Sequence, residues 1–189
     1  MRKNLKIFLF ALLLFFSFAF LTNAYAAGFF SLPVSSSTPI SAYFDLNPAS
    51  GYIRDWTGWT GRNWIYGHAY DGHKGTDYDG QEGNPIYTAN KYPDWARTVY
   101  TYNYNGNTYP NGPIIYGTHI IISHDNTTYK TVYAHLKYNS ILTWVGNSYN
   151  YSFQCAQMGN TGYSSGDHLH CEVRSNDTPI CPYYNGLMP

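Results

Sequence analysis

Charge is scarce in this chain. Asp, Glu, Lys and Arg make up 12% of its 189 residues, with eleven basic side chains against eleven acidic ones. There is no basic stripe, which argues against a nucleic-acid partner. Long apolar runs at helical spacing are missing after residue 27, so helical architectures find no support. No internal repeat and no block of like charge occurs, which removes solenoids and charged tails. Cysteine is limited to three residues, Cys155, Cys171 and Cys181. An odd number leaves at least one thiol free or paired with another molecule.

What is present begins with a leader. Arg2, Lys3 and Lys6 precede the uncharged run Ile7 to Leu21, and Ala24-Tyr25-Ala26 follows with the small-x-small pattern of a signal-peptidase site. The run is 15 residues long, short against the roughly 20 residues of a membrane span. Residues 1–26 therefore read as a signal peptide of a secreted or cell-envelope protein (periplasmic in a diderm host), and an uncleaved anchor is the alternative. Cleavage would leave no stable membrane association. It would also remove three basic and no acidic residues, taking the net charge to about −3.

The rest is rich in Tyr, Thr, Ile and Val, punctuated by Gly, Asn and Pro, with 21 tyrosines and 19% aromatic residues. That composition predicts a mainly β, antiparallel fold with little helix outside the leader. Residues 27–40 read as an extended lead-in and 41–189 as one domain, within which 41–72 form long ordered loops. Strands are expected at 85–89, 95–102, 114–124, 128–136, 149–158 and 169–174, with a polar connection over 103–112.

Three places concentrate histidine. In Gly72-His73-Lys74-Gly75-Thr76-Asp77, a straight strand would separate His73 from Asp77 by about 13 Å at roughly 3.3 Å per residue. That is too far to share one ion, so a bend is needed, and Gly75 is where the backbone could make it. In His168-Leu169-His170, strand alternation turns both imidazoles to one side. His135 closes the run Tyr133-Ala134-His135-Leu136. Two imidazole nitrogens and a carboxylate leave a fourth position on zinc for water, the pattern of a catalytic site. Further imidazoles nearby could take the water proton or donate to an oxyanion.

The chain resembles the lysostaphin-like zinc metalloendopeptidases (LytM-type peptidoglycan endopeptidases) across roughly residues 40 to 180. The resemblance lies in ordered blocks: His73-Lys74-Gly75-Thr76-Asp77-Tyr78, Gly83-Asn84-Pro85-Ile86-Tyr87-Thr88-Ala89, Tyr133-Ala134-His135-Leu136, and Gly159-Asn160-Thr161-Gly162 running into Gly166-Asp167-His168-Leu169-His170-Cys171-Glu172-Val173. It implies an antiparallel, open barrel-like sheet with loops walling a groove. One zinc ion would be held by His73, Asp77 and His170, with His135 and His168 as catalytic imidazoles. The implied function is a monomeric hydrolase cutting peptide cross-links of bacterial cell-wall peptidoglycan. A non-catalytic wall-binding regulator or a broader extracellular metalloprotease are the alternatives.

The sequence departs from the family pattern at Cys171, usually Phe, at Cys155, usually apolar, and in the longer stretch Ser140 to Tyr151. The resemblance places the strand of Cys155 beside Cys171, so a Cys155–Cys171 bridge is expected, with Cys181 the odd thiol. His68 reads as a loop histidine, and His119 and His124 as structural. Glu172 shares the face of the histidine pair, either as a partner of a ligand or as a solvated strand acid. Tyr66, Tyr70, Tyr78 and Tyr163 line the groove or simply pack; Asp71 and Asp79 read as turn residues.

Overall fold

The computed structural model describes residues 28–48, 50–91, 94–112 and 114–189. The leader, 1–26, lies outside the described residues. Twelve strands follow in chain order: β1 (Ile40–Ala42), β2 (Ile53–Arg54), β3 (Thr60–Gly61), β4 (Thr76–Asp79), β5 (Pro85–Tyr87), β6 (Ala96–Tyr102), β7 (Thr118–His124), β8 (Tyr129–Leu136), β9 (Ser148–Tyr149), β10 (Gln154–Gln157), β11 (His168–Ser175) and β12 (Thr178–Ile180). Among the described residues there is no helix, and every strand pair is antiparallel. The main sheet runs β1-β4-β11-β8-β7-β6-β9, with β12 added beside β11; β10-β5 and β2-β3 form two small ribbons. The sheet stays open, as the resemblance implied, and its antiparallel pairing is the class the composition predicted.

Alternation puts Ile120 and Ile122 of β7, Tyr133 of β8, and Leu169, Cys171 and Val173 of β11 into one core with Ile86, Cys155 and Met158. The central strands β8 and β11 are buried along most of their length. Their second face lies under the site described below. The expected strand 149–158 is split. Tyr149 ends β9 at the sheet edge and stacks on Phe153 at 5.4 Å, and β10 then leaves to pair with β5. The expected strand from 114 starts only at Thr118, because Gly117 (φ +59°) crosses Thr161 too closely for any side chain. The expected lead-in bends and turns, with Thr38 N donating to Ser35 O at 2.9 Å, and it is docked: Phe30 and Val34 are buried, and Phe30 N donates to Leu187 O at 2.7 Å and Ser31 N to Ala89 O at 2.7 Å.

The expected disulfide is corrected: all three cysteines are free and buried. Cys155 sits on β10, whose partner is β5, whereas the neighbours of Cys171 on β11 are β4 and β8. Burial pushes the Cys155 thiol up to about 12 and raises Cys171 as well, so both are apolar filling rather than reactive groups.

His124, at the end of β7, is buried with its Nε2 3.0 Å from Thr131 Oγ1, its ring edge-on to Phe30 at 4.6 Å, and Nδ1 without a hydrogen-bond partner among the described residues. Burial lowers its pKa to about 4. A base with a depressed folded pKa contributes stability that is complete above the unfolded value, about 6.5, and lost as pH falls towards 4. The expected loss is about 2–4 kcal/mol. Thermal unfolding followed between pH 7 and 4 should therefore show a steeper fall for the wild type than for His124→Leu. Parallel curves for the two proteins contradict this.

Candidate metal centre and groove

Register brings the central residues together. In the β4–β11 ladder Asp77 lies opposite His170, and Asp79 opposite His168. His73 arrives from the turn before β4, where its N–H donates to Tyr70 O at 3.0 Å and Gly72 takes φ +73°. The turn is held by buried Asp45, whose carboxylate accepts from the backbone N–H groups of Asn47, Arg54 and Gly72 at 3.0–3.2 Å. Gly75 makes the bend between His73 and Asp77, and for a further reason than expected. A Cβ there would meet His170 Cε1 at 2.6 Å and Cys171 O at 2.7 Å.

His73 Nε2, Asp77 Oδ1 and His170 Nδ1 lie 2.8–3.1 Å from one another. The outer partners fix which ring nitrogen carries the hydrogen. His73 Nδ1 is 2.6 Å from Tyr43 O, a carbonyl that only accepts, so Nδ1 donates and Nε2 turns a lone pair inward. His170 Nε2 donates to Glu172 Oε1 at 3.2 Å, leaving Nδ1 to face Asp77. Three acceptors thus converge with no donor among them, an arrangement that requires a cation or a proton at its centre. Ligand bonds of about 2.0–2.1 Å imply ligand–ligand separations of about 3.3 Å at a tetrahedral ion. The trio fits a zinc-sized ion after opening by a few tenths of an ångström.

Two more imidazoles border this trio. His135 and His168 lie 4.7 Å apart by ring centroids, and His168 Nε2 is 3.8 Å from Asp77 Oδ1. Each donates Nδ1–H to a carbonyl, His135 to Thr161 O and His168 to Gly166 O, both at 2.9 Å. His135 has φ +59° at the end of β8, beside the irregular β7–β8 register. That conformation is costly for a residue with a Cβ, and such strain collects at functional sites. A groove of about 460 Å³ opens over these side chains, walled by Trp64, Tyr66, Tyr70, Tyr109, Tyr163 and the 164–167 loop.

The sequence profile of Peptidase family M23 matches residues 71–182, more than half of the chain. The chain belongs to peptidase family M23. It is 27% identical over 158 residues to an uncharacterized metalloprotease of Haemophilus influenzae, covering 82% of this chain and 26% of that protein. It is 46% identical over 66 residues to an uncharacterized metalloprotease of Buchnera aphidicola, covering 35% of this chain and 17% of that one. The chain thus spans about a quarter or less of these relatives. Among solved structures, a zinc-containing peptidase of Vibrio cholerae superposes with a TM-score of 0.57 at 24% identity, covering 84% of this chain and 40% of the other. That likeness shows the shared fold.

The electrostatics of this M23 chain follow from burial and crowding. Burial opposes a charge on Asp77, but His73 and His170 hold its carboxyl well below the usual range. Burial would lower His170, yet Asp77 and Glu172 raise it to about 9. Burial, with His168 and His170 adding repulsion, drops His135 to about 3, which keeps this ring neutral at any physiological pH. Against its burial, hydrogen bonds from His170, Tyr116 and Arg174 bring Glu172 down to about 2.

Other sequence expectations resolve here. Glu172 is buried and bonded to His170, which decides between its two readings. Tyr66, Tyr70 and Tyr163 line the groove, while Tyr78 is core. Asp79 is not the turn residue expected: it ends strand β4 opposite His168 and accepts from Tyr66 Oη at 2.8 Å at the groove wall. His68 is a loop residue, 2.9 Å from Asp55 and stacked on Trp59. His119 lies among Tyr100, Tyr102 and Tyr116. Sequence reasoning missed Asp45, Tyr43, Tyr116 and Arg174. Only Arg174 carried a signal, since it continues the alternation of His168, His170 and Glu172.

Proposed function

We propose that this M23 metallopeptidase is a zinc endopeptidase that hydrolyses peptide cross-links of bacterial peptidoglycan, exported by its leader and cleaved after Ala26. The observation that carries the reading is the convergence of the three acceptors of His73, Asp77 and His170, of which Asp77 lines a groove together with His135 and His168. Those three residues would hold the ion. When bound, zinc polarises a carbonyl and lowers the pKa of water towards 7.

The chain's own groups supply the rest. His135 and His168, each anchored through Nδ1, leave Nε2 to accept a proton from the attacking water, return one to the leaving amine, or donate to the oxyanion. The peptide lies along the aromatic walls, where Trp64, Tyr66 and Tyr163 are each about half exposed and offer broad, stiff contact surfaces. The low net charge leaves binding to shape and hydrogen bonding rather than to long-range attraction.

Purified walls of several chemotypes, digested with the exported protein, should release new amino ends identifiable by mass spectrometry, at glycine or D-amino-acid bonds. Activity on casein with none on any wall would shift the reading to a broad extracellular protease. The intact mass of the exported chain should begin at Ala27.

A further inference from the structure

We infer that Glu172, pinned by Tyr116 and Arg174, is the positioning residue for His170 and sets the affinity of the metal centre. The inference rests on the proposed metal-binding reading of the trio.

The geometry is that of a carboxylate with no freedom left. Oε1 accepts from Tyr116 Oη at 2.6 Å and from His170 Nε2 at 3.2 Å. Oε2 accepts from Arg174 Nε at 2.6 Å and lies 2.6 Å from Arg174 Nη2. Arg174 Nη2 also donates to Tyr116 Oη at 3.0 Å, closing a ring of three side chains, and the guanidinium lies 5.9 Å from the Tyr116 ring centre. The side chain of Glu172 is 1% exposed. A buried carboxylate is costly unless every lone pair is used. Here the strand pattern places the user groups: His170, Glu172 and Arg174 alternate on one face of β11, and Tyr116 reaches over from the approach to β7.

The consequence falls on His170. A histidine side chain in a metal site can turn either nitrogen inward, and the hydrogen bond at the other nitrogen decides which. Glu172 holds the hydrogen on Nε2, so Nδ1 is the bare nitrogen facing Asp77 and His73. Beside Cε1 and Nε2 the missing side chain of Gly75 gives the ring its space. Because Arg174 and Tyr116 immobilise Glu172, it holds the ring orientation before any ion arrives. A salt bridge serving stability alone would not need its acid within hydrogen-bonding reach of a ligand.

Zinc affinity of the full exported chain, measured by competition with a chromogenic chelator, tests this. Glu172→Gln should bind zinc about 10- to 100-fold more weakly than wild type, and its cobalt(II)-substituted form should show an altered visible spectrum. Tyr116→Phe removes one hydroxyl at a partly exposed position, and should weaken binding in the same direction while the metal-free melting temperature stays near wild type. It carries the test if Glu172→Gln fails to fold. Wild-type affinity and cobalt spectrum in the folded variants overturn the inference while leaving the metal site standing. Absence of zinc binding in the wild type overturns the metal-site reading itself, and this inference with it.

Discussion

His170→Ala is expected to lose metal and activity together, whereas His168→Ala keeps close to one zinc per chain and loses only rate. The two residues are neighbours in one strand, yet their surroundings differ. His170 Nδ1 lies 2.8 Å from Asp77 Oδ1 and within the trio, so its removal leaves two of the three residues proposed to hold the ion. His168 holds Nδ1 on Gly166 O and reaches only to within 3.8 Å of Asp77. Removing it changes how bound water reacts and not what holds the ion. The rate should fall by about 10²- to 10⁴-fold, the range of general acid–base catalysis. His135→Ala should follow His168→Ala, and His73→Ala and Asp77→Ala should follow His170→Ala. Elemental analysis and wall-lysis rate, read on the same folded preparations, decide it. Full zinc occupancy in His170→Ala together with loss in His168→Ala would falsify the assignment and exchange the two roles.

Gly75→Ala should disable the centre without replacing any of the three residues proposed to hold the ion. The added methyl would lie 2.6 Å from His170 Cε1 and 2.7 Å from Cys171 O, and the second contact is backbone in the middle of the sheet. The imidazole is the softer of the two neighbours, so it yields, turning Nδ1 away from Asp77. Overpacking of this kind costs about 1–3 kcal/mol. At 1.4 kcal/mol per factor of ten, zinc affinity falls about 10- to 100-fold if the strain is relieved on metal release. The melting temperature of the metal-free protein should change far less than that of the zinc-loaded one. Equal zinc affinity in Gly75→Ala and wild type would show that the sheet absorbs the methyl elsewhere.

Much of this centre is legible along the chain because its parts are short-range. Strand alternation alone puts His168, His170, Glu172 and Arg174 on one face, and Gly75 is the evident bend between His73 and Asp77. The antiparallel β class follows from β-branched and aromatic residues broken by turn formers, and the ordered histidine blocks identify the family. What one strand's pattern cannot carry is the identity of its neighbours. The β4–β11 register that sets Asp77 opposite His170, and the transfer of β10 to β5 that leaves Cys155 without a partner, depend on contacts between segments distant along the chain. The same holds for the carbonyls of Tyr43, Thr161 and Gly166, which fix three imidazoles although any residue type supplies a carbonyl. Ligand identity is a property of side chains, and the sequence determines it. Tautomer, strain and approach distance are properties of backbone groups brought together across the sheet, and only the tertiary structure decides them.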